Sequence, residues 1–139
     1  MNNSKTRFAD LRDGASNTVM VAELIQGPSS GPGSPSGGWQ GVMHYWEGPL
    51  YQHDRTPNTS IPDEMRSHWC GPPRVIAPCA ETFSGPYDQK LFLSARSRHP
   101  GGVQAALCDG SVRFVGESIL LQTWQDLGTP NDGRTLQQW

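Results

Sequence analysis

The Asp109-Gly110 pair, set between two β-prone runs, is the feature that most constrains the fold. Residues 103–108 (VQAALC) precede it and residues 111–115 (SVRFV) follow it. Asp-Gly in this setting is the signal of a two-residue type I′ turn, because both turn positions need positive φ. The sequence therefore predicts a β-hairpin over 103–115, with Cys108 opposite Ser111. That register puts five apolar residues on one face: Val103, Ala105, Leu107, Val112 and Phe114.

A strand and a helix are predicted on either side of the hairpin. Residues 18–24 (TVMVAEL) are apolar on both faces, which is typical of a covered, central strand. Glu23, at its end, should reach solvent or pair with an arginine such as Arg96 or Arg98. Residues 117–127 have helical spacing, and Gly128 is a natural stop. The stripe of this helix consists of Leu120, Trp124 and Leu127.

The high glycine and proline content predicts loops for much of the remaining chain. The 139 residues include 16 Gly and 12 Pro, a composition that favours a small core with many turns. Residues 27–38 contain only Gly, Pro and Ser and are predicted to be a flexible loop. Residues 54–90 are expected to be long and irregular. We therefore predict a single α+β domain over 1–139, mainly β, with an antiparallel sheet, one short C-terminal helix and long Gly/Pro-rich loops.

Charge and hydropathy exclude two classes of function. The net charge is −2, and no basic cluster exceeds the short SARSRH run, so nucleic-acid binding is not expected. No run of about 18 apolar residues is present, so no membrane span is expected in this chain. We find no catalytic-looking GxSxG, P-loop, HExxH or GxGxxG motif, since the one literal GxSxG match, GPSSG at 27–31, lies in the Gly/Pro/Ser segment. No cofactor is predicted.

The cysteines allow several states. Cys70 and Cys79 have eight residues between them, and a disulfide would close that loop in an oxidising compartment. Free thiols, or a zinc site that uses His68 with both cysteines, are the alternatives, although such a site lacks CxxC knuckles and a fourth ligand. Cys108 is predicted to be a free thiol in a strand.

Aromatic residues suggest one further ligand surface. Trp39, Trp46 and Tyr51 lie in a segment that resembles short strands broken by glycines, and they could form a platform for sugars. Packing in the core or at a sheet edge is the competing interpretation. His44 and His53 are expected to be ordinary strand or loop histidines.

Three blocks together resemble a known family. They are FADLRDGASNTVMVAE (8–23), ARSRHPGGVQAALCDGSVRFVGESI (95–119) and TWQDLGTPNDGR (123–134). In this order they resemble the bacterial prepilin-type family with the H-X9-DG domain, which is also described as a domain of unknown function with a solute-binding-protein label. His99, Asp109 and Gly110 match the named motif.

The resemblance implies a pseudopilin-like protein of type II secretion. Such proteins have a cleavable leader, a long apolar N-terminal helix and an exported β-rich head. This sequence contains only the later part, so we expect the C-terminal part of such a head, or a truncated relative. The location would be the cell envelope or the exterior if a leader lies upstream. Partners would be proteins, either further copies or secretion components. Loop carboxylates such as Asp54, Asp63 and Asp132 could hold Ca²⁺, although no DxDxDG loop is present.

The motif histidine is expected to be structural. A catalytic His–Asp pair needs a pocket and a nucleophile or bound water, whereas a strand separates His99 from Asp109. We therefore expect His99 to be largely buried at the corner before the hairpin, bonded to backbone groups or to a carboxylate such as Glu23. The function indicated is non-enzymatic, a structural or interaction domain; a carbohydrate-binding module and a metal-stabilised domain are the alternatives.

Overall fold

The computed structural model describes residues 7–27, 40, 51–67, 69–83, 91–134 and 139. These residues form an antiparallel three-stranded sheet, a small parallel sheet and a short helix, which confirms the predicted α+β, mainly β fold. Two 3-10 turns, Phe8–Asp10 and Ala15–Asn17, precede the first strand. The elements are β1 (Val19–Ala22), β2 (Asp63–Arg66), β3 (Cys79–Phe83), β4 (Gly102–Leu107), β5 (Val112–Gly116) and α1 (Leu121–Leu127).

The main core lies on one face of the three-stranded sheet, whose strand order is β1-β4-β5. The inward side chains of the central strand β4 alternate along the strand, as the two-residue period of a strand requires. Two residues of α1, Trp124 and Leu127, pack on this face and are fully buried. The inward residues of the sheet are Val19, Val103, Ala105, Leu107 and Val115.

The first strand differs from the prediction. Within the described sheet, β1 is an edge strand rather than a covered central one. Its pairing with β4 shifts between Val19 and Val21, and such an irregularity turns an extra side chain outward. Met20 and Val21 are accordingly 57% and 48% exposed.

The hairpin is present, but its register is shifted by one residue from the prediction. Leu107, not Cys108, lies opposite Ser111, and the Leu107 N–H donates to the Ser111 carbonyl at 2.8 Å. Only Gly110 in the turn has positive φ, at 86°, whereas a type I′ turn needs two such residues. Cys108, Asp109 and Gly110 therefore form a three-residue loop.

Because of this shift, the side chains of β5 face the opposite way from the prediction. Val103 pairs with Val115, and both are buried. Val112 and Phe114, predicted to face the core, lie on the outer face with exposures of 63% and 49%. A slip of one residue exchanges the two faces of a strand.

The helix begins later than predicted, at Leu121 rather than 117. Trp124 and Leu127 are buried as the predicted stripe requires, but Leu120 precedes the helix and is 68% exposed. Gly128 ends the helix as its C-cap, as predicted.

Part of the region predicted to be irregular contains ordered structure. Strands β2 and β3 form a parallel pair within 54–90. Strand β2 was not predicted because its sequence, DEMR, is short and polar. Asp63 and Met65 nevertheless face inward. Most of the predicted loop at 27–38 lies outside the described residues.

Candidate functional site

The two halves of the H-X9-DG motif lie at opposite ends of β4. His99 precedes the strand and Asp109 follows it, with the six residues of Gly102–Leu107 between them. At ~3.3 Å per residue this separation is about 20 Å. The two residues therefore cannot act as one catalytic or metal-binding pair.

At the Asp109 end of β4, hydrogen bonds join the hairpin turn to the segment before β1. The Asp109 carboxylate accepts hydrogen bonds from the Ser111 N–H at 2.9 Å and the Ser111 hydroxyl at 2.7 Å, which hold the pKa of Asp109 below its usual range. The backbone N–H groups of Cys108 and Asp109 donate to the carbonyls of Thr18 and Ala15. Cys108 is a half-buried free thiol in this turn rather than in a strand.

At the His99 end of β4, hydrogen bonds join this region to Glu23, which follows β1. Nε2 of His99 lies 3.2 Å from Oε1 of Glu23, and Oε2 of Glu23 accepts the Gln104 N–H at 2.8 Å. Glu23 is the carboxylate partner anticipated for His99, and it pairs with neither arginine considered for it. The expectation of a largely buried ring is wrong, because the side chain is 52% exposed. Gly101, with a φ of 81°, forms the corner beside it.

An open cleft lies next to this pair. Residues 23–26 and 96–99 line it, and its volume is about 480 Å³. Leu24 and Ile25 give it an apolar portion, and Gln26, Ser97 and Arg98 give it polar groups. A space of this size is typical of small-molecule sites.

A buried ion pair underlies the cleft. The Arg96 and Asp63 side chains are only 2% and 3% exposed, and Nη2 of Arg96 lies 3.0 Å from Oδ1 of Asp63. Arg96 also donates to the carbonyls of Thr59 and Ile61. Asp63 additionally accepts from the Ser94 N–H and from Nε2 of Gln40.

These contacts make Asp63, considered above as a calcium ligand, the counter-ion of a buried guanidinium. Asp54 and Asp132 lie outside β2, and no hydrogen bond joins either of them to Asp63. Across the described ranges, no group of three or more His, Cys, Asp or Glu residues is arranged to hold a metal ion. Sequence reasoning missed the pair, although a charged residue inside the apolar run LFLSA-R was an available signal.

The disulfide loop supplies a second arginine near the cleft. Cys70 and Cys79 are bridged, with their Cα atoms 5.7 Å apart, and His68 of the zinc alternative lies outside the described residues. Within the loop, Arg74 donates to the Gln26 carbonyl at 2.8 Å and to Oε1 of Gln40 at 2.7 Å. Burial, together with repulsion from Arg98, lowers the pKa of Arg74.

Two residues of the aromatic segment pack on the core. Of the proposed sugar platform, Trp39 and Trp46 lie outside the described residues, as does His44. Tyr51 is half-buried, with its ring centroid 6.4 Å from that of Trp124, and burial raises its pKa. The ring of His53 stacks on Trp124 at 3.9 Å, and burial lowers the pKa of His53.

Gly128 makes the stacked position of His53 possible. A Cβ at Gly128 would lie 2.6 Å from Cγ of His53, a distance at which the ring would have to move. Nδ1 of His53 also bonds the Trp124 carbonyl at 2.5 Å. Gly128 was predicted only to end the helix, and no local pattern indicates its packing role against His53.

Comparison with known proteins identifies the family without adding a function. Neither the curated proteins nor the solved structures gave a match. Within the described residues, no helix is both long enough and apolar enough to cross a membrane. A family model described as "Protein of unknown function (DUF1559)" matches residues 1–122, which is most of the chain. The chain therefore belongs to this family of unknown function.

Proposed function

We propose that this chain is a non-enzymatic structural or interaction domain of a pseudopilin-like protein, and that it contacts further copies of itself through the outer face of its three-stranded sheet. The observation that carries the proposal is the apolar character of that face. Val21, Ala106 and Val112 form one row across the three strands. Phe114 lies in the next row and is 49% exposed.

The contacts of the motif residues support a structural role. His99 bonds Glu23, which follows β1, and the Asp109 carboxylate bonds Ser111 within the hairpin loop, while the Cys108 and Asp109 N–H groups bond the segment before β1. Such contacts stabilise strand pairing and need no substrate. They account for a histidine and an Asp-Gly pair at this spacing without invoking catalysis.

A second copy is the occupant that fits the outer face best. Its row of Val21, Ala106 and Val112 carries no ionisable side chain, and the adjacent row pairs Phe114 with the uncharged Gln104, so a partner with a similarly apolar surface would match it. Exposed side chains of this number offer a few hundred Å², below the ~800 Å² per partner of a standard interface. A single contact would therefore be weak, and repetition along an assembly would strengthen it. The Cys70–Cys79 disulfide is consistent with an exported, oxidising location.

Sedimentation velocity across a micromolar to millimolar concentration series tests the proposal. We expect reversible self-association of the wild-type chain and a monomer for Val112→Lys, because the lysine charge would be desolvated in the contact. Val75→Lys is the matched control, because Val75 is 97% exposed in the disulfide loop. A wild-type chain that stays monomeric throughout, or equal association of both lysine variants, would refute the proposal.

A further inference from the structure

We propose that the cleft between residues 23–26 and 96–99 binds a small organic oxyanion, a carboxylate or a phosphate ester, through Arg98 and Arg74. This site is independent of the sheet face used for the proposed self-association.

Two guanidinium groups, one that lines this cleft and one beside it, have no carboxylate hydrogen-bond partner among the described residues. Arg98 lines the cleft and is exposed. Arg74 donates only to neutral oxygens, and one of them is the carbonyl of Gln26, which lines the same cleft. Burial and the charge of Arg98 lower the pKa of Arg74, and the Asp63 carboxylate partly opposes this shift.

The carboxylates nearest the cleft are already engaged. Glu23 bonds His99 and the Gln104 N–H, and Asp63 bonds the buried Arg96. Counted against the formal negative charge of Glu23, which also lines the cleft, Arg74 and Arg98 still leave one positive charge in excess. Nε of Arg74 is also buried with no hydrogen-bond acceptor in the described part of the chain, although the side chain as a whole is only half-buried.

The form of the cleft indicates the class of ligand. Guanidinium groups pair with carboxylate and phosphate oxygens through two parallel hydrogen bonds. A volume of about 480 Å³ accommodates more than a bare ion, and Leu24 and Ile25 offer apolar contact to a short carbon chain. A small organic molecule that carries one oxyanion satisfies both properties.

Backbone amide NMR spectra during titration with succinate, and separately with inorganic phosphate, test the site. Ionic strength is held constant with sodium chloride, since surface charge pairing is screened by salt. We expect saturable shifts at residues 24–26 and 96–99. Arg98→Gln should weaken binding about tenfold, the effect of losing a charged hydrogen bond. Arg98→Lys should retain part of the affinity, and Arg12→Gln, at an exposed arginine elsewhere, should retain all of it.

The titrations have results that support the proposed oxyanion site and results that overturn it. Saturable binding of either probe at these residues, weakened by Arg98→Gln, supports the proposal, and the probe that binds tells which oxyanion is preferred. Shifts that do not saturate, that spread equally to the surroundings of Arg12 and Arg113, or that survive Arg98→Gln overturn it. Self-association measured in parallel reports on the proposed function separately.

Discussion

Replacing Asp63 with asparagine should destabilise this domain more than any other conservative exchange of a charged residue described here. Asp63 and Arg96 are both about 2% exposed, so the exchange leaves a guanidinium charge buried without its counter-ion. Breaking a buried pair in this way costs about 3–5 kcal/mol. Asparagine retains one acceptor oxygen toward Arg96, so we expect the lower end, about 3 kcal/mol. A small domain has only about 5–15 kcal/mol in total.

Urea unfolding followed by tryptophan fluorescence, with the disulfide intact, measures this loss. Glu64→Gln is the matched control, because the Arg55–Glu64 pair lies in the same region with side chains 17% and 33% exposed. Partly exposed pairs contribute about 1 kcal/mol or less. Equal losses in the two variants, or a loss below about 1 kcal/mol for Asp63→Asn, would show that Arg96 is not buried against Asp63.

Three other changes should affect stability in defined directions. Replacing Cys70 and Cys79 with serine should cost about 2–3 kcal/mol by the chain-entropy argument for a short loop, measured by the same urea unfolding. Gly110→Val should cost about 1–2 kcal/mol, because φ is 86° while nothing lies within 4 Å of the new Cβ; an unchanged melting temperature would contradict this. Burial lowers the pKa of His53 below its ordinary value of 6.5. The contribution of His53 to folding stability is therefore complete above pH 6.5 and is lost as the pH falls from 6.5 to the lowered pKa, because the unfolded state binds the proton first. His53→Gln should make the stability less dependent on pH in this range.

The hairpin shows how far local sequence signals extend. The Asp-Gly pair between β-prone runs located the hairpin correctly, because that signal depends only on neighbouring residues. The register could not be derived in the same way, because it depends on where the turn is held. Cys108 and Asp109 donate their backbone N–H groups to the segment before β1, and this tertiary contact accompanies a three-residue loop.

Polar contacts between residues far apart in the sequence were the hardest features to predict. Glu23 and His99 are 76 residues apart, yet their pairing was anticipated as one of several options. The Asp63–Arg96 pair was missed because Asp63 lies in a segment with no apolar periodicity, and its burial follows only from its partner. The helix was located because Trp124 and Leu127 repeat at helical spacing, although the exposed Leu120 shows that such a stripe does not fix the first turn.

Truncating Glu23 should cost more stability than truncating the motif histidine that it bonds. Oε2 of Glu23 accepts the backbone N–H of Gln104, so Glu23→Ala leaves a partly buried donor in β4 unpaired, at about 1–3 kcal/mol. His99 is 52% exposed and contacts a carboxylate that is 36% exposed; contacts at this exposure contribute about 1 kcal/mol or less. Thermal melts of the wild type, Glu23→Ala and His99→Ala, each with and without EDTA, compare the two directly. We expect the order wild type, His99→Ala, Glu23→Ala in falling melting temperature, with no effect of EDTA on any of them. A larger loss for His99→Ala, or an EDTA-sensitive wild type with an insensitive His99→Ala, would mean that the histidine acts through something other than Glu23.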